Sequence, residues 1–117
     1  MNFICSKQKL QEGISIVTKA ITGKTTMPIL EGIYIEANDE GLTLIGSDMD
    51  VSIETKVEAK VTTAGKIVLD ARLFGEIIRK LPNSDVKIEI TDNDLIQVTC
   101  EKSVFNLVYM IIQCYQQ

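Results

Sequence analysis

A strand–turn–helix pattern occurs twice in this chain, at an offset of 64 residues. In the second copy, within residues 65–82, an apolar run ends at Asp70, and five apolar residues follow at three- and four-residue spacing: Leu73, Phe74, Ile77, Ile78 and Leu81. That spacing predicts a helix with one apolar face. Asp70 is a favoured N-cap because its carboxylate can accept a backbone N–H that the first helical turn leaves free, and Pro82 ends the helix.

The first copy has the same form. Ser6 takes the capping position that Asp70 holds, and it follows the apolar residues Phe3, Ile4 and Cys5. The apolar stripe that comes next matches the second copy at the same offset: Leu10 with Phe74, Ile14 with Ile78 and Val17 with Leu81, and Ile21 continues it. Internal similarity of this kind predicts a duplicated structural unit.

Alternating apolar and polar residues fill the regions after each predicted helix. The alternating runs are residues 30–37, 42–44, 51–57, 86–90, 96–98 and 105–109. Such alternation predicts half-buried strands joined by turns, and residues 58–65 are interpreted as a link. The element order is therefore a β-α-β-β-β unit, duplicated. This order predicts an α+β fold, one domain over residues 1–117, with both helices packed side by side on one face of an antiparallel sheet.

The charges divide between the helices and the rest of the chain. The net charge is −4, yet residues 7–24 carry +3 and residues 71–80 carry +2, which leaves −9 elsewhere. A charged helix face is often simply solvated. Positive charge on both helices instead favours a cationic surface that attracts a polyanion. Because the basic faces carry no interleaved aromatic residues, we expect contact with phosphates and no stacking on bases.

The residue pattern gives little support to catalysis or metal binding. The chain has no histidine, which is the commonest general base and a frequent zinc ligand. Asp48 and Asp50 could share one face of a strand and bind a metal ion, but aspartate is also common in turns, and the same holds for residues 92–94. The three cysteines lack metal-ligand spacing, so Cys5 and Cys100 are expected to be small buried hydrophobes.

We therefore expect no cofactor, no metal ion and no enzymatic activity. No run of residues is as long as a transmembrane helix. The N-terminus lacks the basic region and the long apolar core of a signal peptide. The chain is predicted to lie in the cytoplasm and to make no membrane contact.

Four segments in sequence order resemble the first domain of the bacterial sliding clamp, the beta subunit of DNA polymerase III. They are Met1-Asn2-Phe3 with the helix that follows, residues 26–30 (TMPIL), residues 42–48 (LTLIGSD) and residues 71–82. The resemblance extends to about residue 110. It implies the DNA clamp fold, in which helices line the inside of a ring and sheets form the outside. The implied function is that of a non-catalytic processivity factor of DNA replication, which encircles duplex DNA and tethers the replicative polymerase.

The resemblance also implies which residues contact DNA. Lys24 falls where the family usually has an arginine that touches DNA, and Arg72 falls at a second such position. Arg79 and Lys80 are further candidates for the DNA channel. These four cations are expected to bind the phosphates of double-stranded DNA.

The same resemblance implies partners and a subunit interface. Phe105 and Leu107 fall in the strand that pairs with a second clamp protomer in the family's ring dimer. The groove that binds DNA polymerase and the clamp loader lies in later domains of the family, and residues 111–117 depart from the family's continuation and are interpreted as a truncated or frame-shifted end. An alternative hypothesis is a protein-interaction module that dimerises through the edge strand 104–110 without using DNA.

Overall fold

A computed structural model of the protein describes residues 1–20, 32–47, 52–92 and 95–108. The described residues form two α-helices, α1 (Lys7–Val17), which continues into a 3₁₀ turn at Thr18–Ala20, and α2 (Ala71–Lys80). They also form nine strands: β1 (Asn2–Ser6), β2 (Gly32–Asn38), β3 (Gly41–Ser47), β4 (Ser52–Val57), β5 (Lys60–Thr63), β6 (Gly65–Asp70), β7 (Asp85–Asp92), β8 (Leu95–Cys100) and β9 (Ser103–Val108).

Both helices begin at the caps that the sequence predicts. The Asp70 Oδ1 atom accepts a hydrogen bond from the Leu73 backbone N–H at 2.9 Å, and the Ser6 Oγ atom accepts one from the Lys9 backbone N–H at 3.4 Å. α2 ends before Leu81, whose N–H donates to the Ile78 carbonyl at 3.2 Å. The strand–cap–helix order of both copies is therefore confirmed.

The described strands form two antiparallel sheets, whereas the sequence predicted a single one. The first sheet has the order β5-β1-β7-β8-β9 and the second has the order β4-β3-β2-β6. β1 pairs with β7 of the other copy, and β6 pairs with β2 of the other copy. The two copies thus exchange their first strands, and each sheet needs both copies. Alternation along a strand does not specify its neighbours, so the sequence pattern could not reveal this exchange.

A short strand replaces the link that was predicted over residues 58–65. β5 (Lys60–Thr63) pairs with β1 at the edge of the first sheet, where Val61 lies opposite Phe3. Four residues with one valine give too short an alternating pattern to indicate a strand. The α+β prediction itself is confirmed.

The aligned apolar stripes form part of one core that joins both sheets and both helices. All six matched residues are buried: Leu10, Ile14, Val17, Phe74, Ile78 and Leu81. Leu73 was predicted to share this face, but 48% of it is exposed. The buried arc of α2 is formed by Ala71, Phe74, Ile77 and Ile78, and Leu73 lies beyond its edge. Ile21 lies outside the described residues.

α1 packs closely on the second sheet because two glycines leave room for it. A Cβ atom on Gly13 would lie 2.7 Å from Val57 Cγ2 and 2.9 Å from Leu44 Cδ1. A Cβ atom on Gly46 would overlap the carbonyl oxygen of Val17 at the end of α1. These contacts fix the position of α1, and with it the position of one wall of the site described next.

Candidate nucleic-acid interface

α1 and α2 are in contact and flank an open groove of about 290 Å³. They approach each other where α2 has a glycine, since a Cβ atom on Gly75 would lie 3.7 Å from Ile14 Cγ2. Among the described residues, the polar side chains that line the groove are Gln11 and Ser15 from α1, Thr18 from the 3₁₀ turn that follows it, and Arg72, Glu76 and Arg79 from α2. The groove is therefore mixed in polarity, with its cations on one wall.

The structure brings two of the predicted DNA-contacting residues together. Arg72 and Arg79 are both exposed and both line the groove. Seven residues are about two helical turns, so the two arginines share one face of α2 and are separated by about 10 Å along its axis. Lys80 is also exposed, but it is not among the residues that line the groove. Lys24 lies outside the described residues.

The cations of α2 have no carboxylate partner in the part of the chain that the structure describes. The ion pairs found there join Lys9 to Glu58 at 2.8 Å and Lys87 to Glu89 at 3.8 Å. Glu76 lies four residues after Arg72 and three before Arg79, a spacing at which helical side chains can pair, yet neither arginine lies within 4.0 Å of it. The arginines of the groove are thus available to an external anion.

The helix dipole accounts for the positions of two cations of α2, Arg79 and Lys80, but not for the position of Arg72. Arg79 and Lys80 lie in the last turn of α2, where positive charge is stabilised by the negative end of the helix dipole. Arg72 is the second residue of α2, and the first turn contains no acidic residue. A cation there faces the positive end of the dipole, which costs about 0.3–1 kcal/mol. Helix stability therefore gives no reason for Arg72.

The wall formed by α1 is neutral, although the sequence predicted basic faces on both helices. Lys9 lies on the other flank of α1, where it pairs with Glu58 in the connection between β4 and β5. The hydrogen bond and the charge of this pair raise the pKa of Lys9 and lower the pKa of Glu58. α1 instead presents Gln11 and Ser15 to the groove, and the 3₁₀ turn that follows presents Thr18. Sequence reasoning missed these residues because it followed charge alone.

The predicted interface residues Phe105 and Leu107 lie in β9, which is an edge strand of the first sheet. Leu107 is only 5% exposed and belongs to the core, and Phe105 is half-buried against it. The exposed apolar side chains of this strand are Val104 and Val108, at 51% and 70%. Leu107 could therefore contribute to an interface chiefly through its backbone, and a subunit contact at β9 stays a prediction.

The described cysteines are buried, as expected. Cys5 and Cys100 are 5% and 1% exposed, and burial together with the nearby Asp85 raises the pKa of the Cys5 thiol to about 12. Within the described ranges, no three acidic, histidine or cysteine side chains are grouped as a metal site would require. Asp48, Asp50, Asp94 and Cys114 lie outside these ranges.

Both the sequence and the fold of this chain are similar to those of DNA polymerase III beta subunits. The model of the DNA polymerase III beta subunit, N-terminal domain, matches residues 1–116. A beta sliding clamp of Halalkalibacterium halodurans is 39% identical over 115 residues, which cover 92% of this chain and 30% of that protein. A crystal structure of a putative DNA polymerase III beta subunit from Eubacterium rectale is 41% identical, with a TM-score of 0.92 over 97% of this chain and 31% of that chain.

A crystal structure of the DNA polymerase sliding clamp from Bacillus subtilis is similar to the same degree. It is 39% identical, with a TM-score of 0.92, and the match covers 98% of this chain and 32% of that one. The chain belongs to the family of DNA polymerase III beta subunits and corresponds to their N-terminal domain. It spans about 30% of the length of the curated relatives it matches. The resemblance and the DNA clamp fold predicted from the sequence are thus confirmed.

None of the helices within the described residues is long and apolar enough to cross a membrane.

Proposed function

We propose that this chain is part of a sliding clamp of DNA replication and that the α1–α2 groove faces the phosphates of duplex DNA. Arg72 and Arg79 bind phosphate oxygens, and Lys80 adds positive charge on α2. Lys24, which lies outside the described residues, is proposed as a further DNA contact from the family resemblance alone. The role is non-catalytic, because contact with phosphates holds the protein on DNA without making or breaking a bond. In the full-length protein, a second protomer would complete a ring in the cytoplasm, and DNA polymerase and a clamp loader would be further partners.

One observation carries this proposal. Two exposed arginines share one face of α2 and have no carboxylate partner in the described part of the chain. Arg72 also lies where the helix dipole disfavours a cation. Family membership supports the proposal, since the relatives are named beta sliding clamps. Arginine suits this role because its guanidinium group can form two parallel hydrogen bonds to a phosphate.

The salt dependence of DNA binding tests the proposal. Fluorescence anisotropy of a labelled duplex would be measured between about 25 and 200 mM salt, and log K plotted against log salt concentration, where each phosphate contact contributes a slope of about −0.9. The double variant Arg72→Gln, Arg79→Gln should bind more weakly and should lose about 1 to 2 from the magnitude of the slope. Binding by the isolated chain is expected to be weak, since only one domain supplies contacts.

Lys102→Gln is the matched control. Lys102 is exposed in the turn between β8 and β9 and does not line the groove, so its loss should leave the slope unchanged. Thermal melts of each variant would show that the fold is intact. If the arginine double variant keeps the wild-type slope, the groove does not face phosphates and the proposal is wrong.

A second function is favoured by the edge strand. Among the described strands, β9 lies at the edge of the first sheet. Its sequence SVFNLV contains no charge or proline, and Val104 and Val108 are exposed. Natural edge strands usually carry charges or prolines that prevent pairing. A protein-interaction module that dimerises through this strand would show a concentration-dependent mass in sedimentation, lost in Val104→Lys, Val108→Lys, together with no salt-dependent binding of DNA.

A further inference from the structure

We infer that α1 contributes to the same phosphate site through Gln11 and Ser15, and that Glu76 limits how tightly the groove holds a phosphate. This inference rests on the proposed function, because it assigns further residues to the groove that Arg72 and Arg79 line. The arginines attract the anion through their charge. Gln11 and Ser15 then donate neutral hydrogen bonds to it from the opposite wall.

The position of the two α1 residues carries the first part of the inference. Gln11 and Ser15 are four residues apart, so they lie one above the other on the face of α1 that lines the groove. The amide of Gln11 and the hydroxyl of Ser15 have no hydrogen-bond partner among the described residues. An amide NH₂ and a hydroxyl both donate hydrogen bonds, and polar side chains of these types commonly contact DNA phosphates.

Thr18, the third polar residue of this wall, is already engaged. Its Oγ1 hydroxyl donates to the Ser15 carbonyl at 3.2 Å, so its proton is used within α1. This bond also ties the Thr18 side chain to the last turn of the helix. The free donors of α1 in the groove are therefore those of Gln11 and Ser15.

The polarity of the groove suits a phosphate. The groove is open to solvent, so the side chains that line the groove, and not its volume, favour a phosphate. Its polar lining has two cations and two free neutral donors, which complement the oxygens of a phosphate. An open groove of this kind can admit one phosphate of a polymer while the rest of the polymer stays outside.

Glu76 opposes this attraction. It is exposed, it lines the same groove, and it lies between Arg72 and Arg79 along α2. It pairs with neither arginine within 4.0 Å, so no ion pair within the described residues offsets its charge beside the groove. A carboxylate beside a phosphate repels it, so Glu76 weakens the hold of the groove on DNA without removing any donor.

The salt dependence of DNA binding distinguishes the contribution of neutral hydrogen-bond donors from the contribution of charged side chains. The double variant Gln11→Ala, Ser15→Ala should weaken binding of a labelled duplex about three- to tenfold at every salt concentration, with an unchanged slope, since no counterion release is lost. Glu76→Gln should tighten binding, most of all at low salt, and make the slope steeper. All measurements use the same chain and duplex as the arginine test.

The control for the Gln11→Ala, Ser15→Ala variant is Gln8→Ala, Ser52→Ala, which removes the same two side-chain types at exposed positions outside the groove. The control for Glu76→Gln is Glu54→Gln, at an exposed position on β4. Both controls should bind as the wild type does. If the α1 double variant binds like its control, or if Glu76→Gln binds like Glu54→Gln, the inference is overturned. The proposed function still holds in that case, provided that the arginine double variant shows a reduced salt slope. If the arginine double variant keeps the wild-type salt slope, both the proposed function and this inference are wrong.

Discussion

The two copies of the repeated unit have the same plan but different surroundings for their helices. α1 is held against the second sheet at Gly13 and Gly46, and its exposed groove wall is neutral. α2 instead contacts α1 at Gly75 with ordinary spacing, and its exposed face is cationic. The duplication therefore accounts for the caps and the core, whereas the surface chemistry and the fit against neighbours differ between the copies.

This difference indicates how a duplicated fold can acquire an asymmetric site. The residues that match between the copies are those that every copy needs to fold: one N-cap and three buried apolar side chains. The residues that line the groove do not match in charge. At the same offset of 64 residues, Gln11 corresponds to Gly75 and Ser15 corresponds to Arg79. The groove joins two unlike walls, one of neutral donors and one of cations.

The glycines give the largest expected effects on stability. Gly46→Ala should destabilise the protein by about 1–3 kcal/mol or more, because the new methyl group overlaps backbone of α1. Gly13→Ala should cost less, since only the side chains of Val57 and Leu44 must move and alanine favours the helix. Gly75→Ala should stabilise by about 0.5–1 kcal/mol, because the methyl group fits against Ile14. Urea denaturation of the three variants gives their free energies of unfolding and so tests this ranking.

An equal response at Gly13 and Gly75 would contradict the difference in packing between the two helices. Gly65→Ala is not a suitable control, because its Cβ atom would lie 2.7 Å from the Cβ atom of Met1. A surface substitution such as Ser52→Ala, with its exposed side chain, should change the free energy of unfolding by no more than about 0.5 kcal/mol.

The caps should show a smaller effect that is unequal between the copies. Asp70→Ala is expected to cost about 1–2 kcal/mol, because its carboxylate accepts a 2.9 Å hydrogen bond and its charge favours the positive end of α2. Ser6→Ala should cost about 0.5–1 kcal/mol, since its hydrogen bond is longer, at 3.4 Å, and carries no charge. Thermal and urea unfolding of both single variants compares them, and Asp70→Asn separates the charge from the hydrogen bond. A larger loss at Ser6 would show that the caps contribute in the reverse order.

The exposed ion pair of α1 should have the smallest effect, and it should depend on pH. Hydrogen bonding to Lys9 lowers the pKa of Glu58, so this carboxylate stabilises the folded state above its ordinary pKa near 4.5 and loses that contribution as the pH falls through its folded value. The pKa of Lys9 is raised, so its contribution is present below about 10.5 and is lost as the pH rises through its folded value. The ion pair between Lys9 and Glu58 therefore stabilises the folded state between about pH 5 and pH 10.

Glu58→Gln should lower the urea midpoint slightly at pH 7. The difference from the wild type should shrink as the pH falls through the lowered pKa of Glu58, and it should also shrink in about 1 M salt, where exposed charges are screened. Glu54→Gln, which removes an exposed carboxylate without an ion pair in the described structure, is the control. A Glu58→Gln deficit that did not change with pH or with salt would have to come from packing and not from charge.

The sequence by itself determined the local structure and the family. The N-caps at Ser6 and Asp70, the apolar stripes from Leu10 and Phe74 onward, and the cations of α2 could all be found from spacing and residue type, because capping and helical periodicity depend on neighbours only a few residues away. The family could be identified in the same way, from short segments in a fixed order.

Only the tertiary structure decided which residues meet. The exchange of β1 and β6 between the copies, the exposure of Leu73 and the groove that faces Gln11 and Ser15 toward Arg72 all depend on contacts between residues distant in the chain. Alternation gives each strand an inner and an outer face but no partner, and charge alone does not point to neutral donors. The physical reason is that packing, unlike periodicity, is a property of pairs of elements.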